Sequence, residues 1–191
     1  MSQTTKRALA ASLKKLLADR PLDKVTVTDI AEDCGVGRQT FYYHFEDIYG
    51  LVEWIYTNEA GQALAGNKTY ATWQEGYLRI FEYVKANKVF VRATYHSAGR
   101  EHLIRYIYGE TYQLLSGVVE ELARGIPVRD EDKNFIANFY KYAFAGLLLD
   151  WVAAGMKEDP EALVSRLSVL LEGHLAGELE RFRTDRVHPA P

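Results

Sequence analysis

The 191-residue sequence holds one cysteine, Cys34, which excludes an internal disulfide and any cysteine-built metal site. It has no apolar run approaching the ~20 residues that cross a bilayer, so no membrane helix is expected. Met1 to Arg7 is polar and opens directly into an amphipathic pattern, without the apolar centre of a signal peptide. The expected location is therefore the cytoplasm. Positive charge is also scarce. The net charge is -3, and Met1 to Gly50 contains seven basic and seven acidic residues. Phosphate attraction usually supplies much of DNA affinity, so composition does not point to nucleic acid; any such affinity must come from where the charges stand. Finally, the sequence has no Ser/His/Asp set, no glycine-rich phosphate loop and no two-histidine zinc helix. The histidines His44, His96, His102, His174 and His188 show no ligand spacing. No catalytic residue, metal or cofactor is expected, and the chain is not read as an enzyme.

What is present is apolar residues, 48% of the chain, at helical spacing almost throughout. Leu9, Leu13, Leu16 and Leu17 form one stripe, which Pro21 ends because the residue before proline disfavours helix. Thr26 and Asp29 make a capping-box-like start for a second helix, which Gly35 stops. A third short helix spans Arg38 to His44. Asp47 caps a longer one over Ile48 to Ala60. Gly61 to Thr69 reads as a linker. Further helices are expected over Tyr70 to Ala86, Lys88 to His96, Arg100 to Ala123, Glu131 to Met156 and Glu161 to Arg183, with breaks at Gly125-Ile126-Pro127 and Lys157 to Pro160, and with a frayed tail from Thr184.

The stretch from Val25 to Phe45 carries the functional signal. Two short helices meet at Gly35, where a tight turn needs a positive φ that glycine tolerates. Ala31 is small where the second helix crosses, and Ile30, Cys34, Val36, Phe41 and Phe45 are placed to pack between the helices. Arg38, Gln39, Thr40, Tyr42, Tyr43 and His44 are left on the start and flank of the second helix. Donors and acceptors clustered there are what major-groove reading requires. Lys14 and Lys15 read as a solvated face. Lys6 and Arg7 are read either as solvated or as reaching flanking phosphate or minor groove. Cys34 reads as a small buried filler, not a redox sensor.

Residues Lys6 through Ile55 resemble the DNA-binding module of the TetR family, most specifically in Thr26-Val27-x-Asp29-Ile30-Ala31, Gly35-Val36 and Thr40-Phe41-Tyr42-Tyr43-His44-Phe45. The resemblance implies that Tyr42 contacts phosphate, that Thr40 and its neighbours face the groove, and that Thr26 and Thr28 meet the backbone. Arg38, Gln39 and Tyr43 are the candidates for base edges, with Arg38 able to fork onto guanine and Gln39 onto adenine. Two positions depart from the family. Ile48 stands where a phosphate-gripping lysine is usual, and Gly37 replaces the usual capping serine. The run Tyr43 to Ile55 is similar to a subgroup that includes activators of dihydroxyacetone-kinase operons.

The expected architecture is all-α: an N-terminal three-helix helix-turn-helix DNA-binding domain over residues 1–50, then a helical-bundle effector-binding and dimerisation domain over residues 51–191. Apolar residues on several faces of the last two helices read as an interface between two copies, with Gly146, Leu149, Ala153, Leu163, Leu167, Leu170, Leu171 and His174 as its candidates. The density of tyrosines suggests a ligand cavity, since each buried hydroxyl needs a partner. Its candidates are Trp73, Tyr77, Phe81, Tyr95, Tyr106, Tyr112, Phe139 and Tyr142. The expected protein is a transcriptional regulator, a repressor in preference to an activator, that binds a palindromic double-stranded operator as a homodimer and answers to a small-molecule effector. The alternative keeps the DNA module and puts its helical body under a partner protein.

Overall fold

A computed structural model describes residues 2–60 and 69–185. The expected linker lies, apart from Thr69, outside the described residues, as does His188. Among the described residues there are ten α-helices and no strand. They are α1 (Ser2–Leu16), α2 (Val27–Asp33), α3 (Arg38–His44), α4 (Ile48–Ile55), α5 (Trp73–Ala86), α6 (Lys88–Tyr95), α7 (Arg100–Leu122), α8 (Asp130–Ala153), α9 (Pro160–Leu171) and α10 (His174–Arg181). The chain divides into two compact units, one of residues 1–62 and 83–106, the other of residues 63–82 and 107–191.

In the first unit α1 packs on α2, α3 and α4, and α2 packs on α3. Leu9, Leu13, Ile30, Phe41, Leu51 and Ile55 are fully buried. The Ser12 hydroxyl donates to the Ile30 carbonyl at 3.1 Å, a buried link between α1 and α2. Asp47 accepts the Gly50 N–H at 2.8 Å and starts α4, as its short polar side chain suggests. The continuous helix expected over Ile48 to Ala60 is not continuous: α4 ends at Ile55 and a wider π-helical turn covers Tyr56–Ala60. There Tyr56 is buried, shares a hydrogen bond with Thr94 and stacks on Tyr106. Lys14 also departs from expectation. It is half-buried, ion-paired with Glu59 and hydrogen-bonded to Asn87 Oδ1 at 2.9 Å, so its ammonium holds the unit together.

The second unit is built on aromatic packing. Tyr77 meets Phe81 at 5.0 Å and Phe144 at 4.7 Å between ring centroids, and Phe81 meets Trp151 at 4.9 Å. The Tyr77 hydroxyl donates to the Phe144 carbonyl at 2.6 Å, and the Trp151 indole N–H donates to the Glu158 carbonyl at 2.8 Å across the α8–α9 turn. The helix expected from Tyr70 begins at Trp73, because Thr69 and Thr72 form a turn joined by their hydroxyls at 2.7 Å. The single helix expected over Glu161 to Arg183 is two helices. Glu172 leaves the helical region with ψ 115°, and Gly173 follows at φ +73°, a conformation open to glycine and strained for other residues.

Tyr77→Phe removes the buried hydroxyl and keeps the ring. Denaturant unfolding is expected to show about 1 kcal/mol of lost stability; unchanged stability would mean that the bond to Phe144 contributes nothing net.

Candidate nucleic-acid interface

Thr26 opens α2 as a full capping box. Its hydroxyl oxygen accepts the Asp29 N–H at 3.2 Å and donates to Asp29 Oδ2 at 2.7 Å, while the Thr26 N–H donates to the same carboxylate at 2.8 Å. The Arg20 guanidinium stands 3.3 Å from the other carboxylate oxygen. The Thr26 bonds, and after them Arg20, hold the Asp29 carboxyl below its usual range. A lowered carboxylate stabilises the fold above its ordinary titration range and loses that contribution as pH falls through its folded value. The start of α2 is therefore an acid-sensitive point of the module.

The other end of α2 sets the angle to α3. Gly35 lies at φ +68°, its N–H donates to the Glu32 carbonyl at 3.0 Å, and the Val36 N–H donates to the Ala31 carbonyl at 2.9 Å. This pair of bonds is the Schellman arrangement, which closes a helix on one left-handed residue. Nothing lies within 4 Å of a Cβ placed at Gly35, so the demand for glycine there is conformational and not spatial. Cys34 is half-buried, not fully buried, and burial pushes its thiol up, away from a reactive thiolate.

α3 has seven residues and a glycine N-cap without a side-chain bond. A helix that short is unstable alone in water. Phe41, fully buried, anchors it from below, with the Phe45 ring 5.8 Å away and Trp54 of α4 edge-on to Phe45 at 6.1 Å. With that face committed, Arg38 and Gln39 are exposed, Thr40 and His44 are half-buried, and Tyr42 and Tyr43 stand 51% and 82% exposed. Thr26 is exposed and Thr28 half-buried. All eight residues with an expected DNA role thus belong to α3 and the start of α2. Two large aromatic side chains in water, side by side on a helix held by its opposite face, form a surface suited to a partner.

The eight residues expected around a ligand are dispersed. Trp73, Tyr77 and Phe81 come together in the second unit, packed ring against ring with Phe144 and Trp151. Tyr112 donates its hydroxyl to Asn134 Oδ1 at 2.8 Å. Phe139 and Tyr142 lie exposed on α8. Tyr95 and Tyr106 belong to the first unit, Tyr95 beneath the Arg100 guanidinium at 4.5 Å. Tyr56, Tyr77 and Tyr112 find protein partners for their hydroxyls, whereas the buried Tyr83 hydroxyl has no hydrogen-bond partner among the described residues. A cleft of about 460 Å³ does open beside Trp73, bordered by Tyr70, Gln74, Ser168 and Glu172, which sequence reasoning had not singled out. Gln74 and Ser168 sit on α5 and α9 while Tyr70 and Glu172 lie in turns just outside them, so only the fold brings the four together.

Of the expected interface residues, Leu170 is 68% exposed, His174 and Ala153 are exposed, and Gly146, Leu149 and Leu163 are half-buried. Leu167 and Leu171 are buried. Phe135, Leu147 and Val169 add exposed apolar surface that spacing alone had not separated from core.

The short α2, the left-handed turn and the exposed α3 define a helix-turn-helix DNA-binding module. Residues 4–55 match the family described as "Bacterial regulatory proteins, tetR family", and residues 71–173 match "Transcriptional regulator C-terminal region". The chain belongs to the TetR family; it is a TetR-type transcriptional regulator and not an enzyme. It is 28% identical over 170 residues to the "HTH-type dhaKLM operon transcriptional activator DhaS" of Lactococcus lactis subsp. lactis, covering 87% of this chain and 88% of that protein. It is 29% identical over 96 residues to the "HTH-type transcriptional regulator EthR" of Mycobacterium tuberculosis, covering 45% of this chain and 44% of that one. The solved structure titled "Dihydroxyacetone kinase operon activator DhaS" superposes with a TM-score of 0.70 at 22% identity, over 94% of this chain and 98% of that one, and shares the fold. No helix among the described residues is long and apolar enough to cross a membrane.

Thr26→Ala removes the capping box. The expected cost is about 1 kcal/mol, read as a lower melting temperature; an unaltered melt would show that α2 does not depend on its cap.

Proposed function

We propose that this regulator acts in the cytoplasm as a homodimer that places one α3 from each copy in the major groove of a palindromic operator. The observation that carries the reading is the exposed row Arg38, Gln39, Tyr42 and Tyr43 on a helix whose other face is locked by Phe41. Arg38 and Gln39 stand at the helix start and, with Tyr43, suit base edges; Thr40 faces the groove, Tyr42 suits phosphate, and Thr26 and Thr28 suit the adjoining backbone. Two copies related by a dyad present such helices to successive grooves about 34–36 Å apart. Support for the dimer is the apolar surface on α8 and α9, including Phe139, Tyr142 and Leu170, for which a second copy is the natural cover.

Control is read as a shift between two states of that dimer. The cleft beside Trp73 supports a small-molecule effector, and Glu172 on its border favours one that carries positive charge or hydrogen-bond donors. The aromatic rings packed on one another around Tyr77 support the second reading, control by a partner protein. A protein-free metabolite fraction that changes operator affinity supports the first; a response only to protein supports the second. Repression is kept as the proposed sense of regulation, although the similar DhaS is an activator by name. Transcript levels decide, rising on deletion of a repressor and falling on deletion of an activator.

Tyr42→Ala should abolish binding to a duplex selected by the wild-type protein, measured by fluorescence anisotropy, with helicity intact; normal binding would remove α3 from the interface. Leu170→Glu is expected to shift sedimentation from dimer toward monomer and to weaken operator binding at least tenfold, about 1.4 kcal/mol. A stable dimer of that variant would place the interface elsewhere.

A further inference from the structure

The neutral charge of the first fifty residues conceals an unequal division of labour. Of their seven cations, three are engaged within the protein: Lys14 with Glu59, Lys15 with Asp33, and Arg20 with Asp29. An ammonium already holding a carboxylate has little to offer a phosphate without losing that bond. Among the described residues, Lys6, Arg7, Lys24 and Arg38 make no such ion pair.

Lys6 differs from the other three in being held. It is half-buried on α1, and its Nζ lies 5.3 Å from the centre of the Phe45 ring. Phe45 is the C-cap of α3. The ring attracts the ammonium without neutralising it. Lys6 therefore presents a full positive charge, with much of its side-chain freedom already spent, at the C-terminal end of the recognition helix. That is where the fold most needs one. The end of a helix carries partial negative charge, and the exposed Glu46 and Asp47 follow immediately. A helix about 10–12 Å across in a groove about 12 Å wide has phosphate on both sides. Position 48, the first residue of α4, is isoleucine and brings no cation.

We propose that Lys6 is a DNA-backbone contact, held over Phe45 so that it offsets the negative end of α3 and grips the phosphate beside it. The inference rests on the operator-binding reading and names a contact within it. Arginine-fork or base-specific chemistry is not required; the contact is sequence-independent.

The test is the salt dependence of binding to a duplex selected from a random pool by the wild-type protein. Lys6→Met keeps the apolar stem over Phe45 and removes the charge, and Lys6→Gln is a second neutral variant. Both are expected to make the slope of log affinity against log salt shallower by about 0.9, the loss of one phosphate contact. Lys6→Arg should restore the wild-type slope, and Lys15→Met, which removes an already paired ammonium, should leave it unchanged. Melting followed by circular dichroism separates lost charge from lost fold, and the arginine variant retains the charge in either case. Wild-type slopes in both neutral variants, or no recovery with arginine, would overturn the proposal while leaving operator binding in place. If the wild-type protein selects no DNA, the operator reading fails and the Lys6 proposal with it.

Discussion

A helix of seven residues cannot hold itself together in water, because it closes too few hydrogen bonds to offset the cost of starting. α3 therefore exists only while Phe41 is buried, and everything functional about the first unit follows from that burial. Burying Phe41 fixes the rotation of the helix, which in turn leaves Arg38, Gln39, Tyr42 and Tyr43 in solvent. The Gly35 turn sets where α3 begins, and the Phe45–Trp54 contact sets where it ends. α4, and α1 apart from Lys6, support α3 by supplying the floor on which Phe41 and Phe45 rest.

The same economy governs charge. The module spends three of its cations on its own architecture: Lys15 and Arg20 tie α1 and the following turn to α2, and Lys14 ties α1 to the π-helical turn and to Asn87. Electrostatic attraction to DNA falls to the remaining cations and to helix termini and hydroxyls. A protein built this way is expected to bind DNA with a modest salt dependence and to rely more heavily on hydrogen bonds than a strongly basic module does.

Local signals were the legible ones. The capping box at Thr26 and Asp29, the Asp47 cap and the Gly35 turn each involve residues within a few positions of one another, and each stands where those residue types demand. The limits of α3 were readable for the same reason. Longer-range features were not. The break at Gly173 lies inside an unbroken apolar stripe from Leu163 to Leu175, and periodicity cannot show a left-handed residue within it. Lys14 looked solvated because its partners, Glu59 and Asn87, are far away in sequence. That the Phe144 carbonyl serves the Tyr77 hydroxyl is beyond any local pattern, because the two residues lie far apart in sequence. Leu167 and Leu170 share one apolar pattern, and only packing separates the buried one from the exposed one.

The central claim is that two copies of α3 read DNA as a symmetric pair. Sequencing the duplexes that the purified protein enriches from a random pool tests it most directly. The expected result is an inverted repeat whose half-sites are centred one helical turn, about 10–10.5 base pairs, or a multiple of that apart. Enrichment of a single asymmetric site, or no enrichment at all, would contradict it.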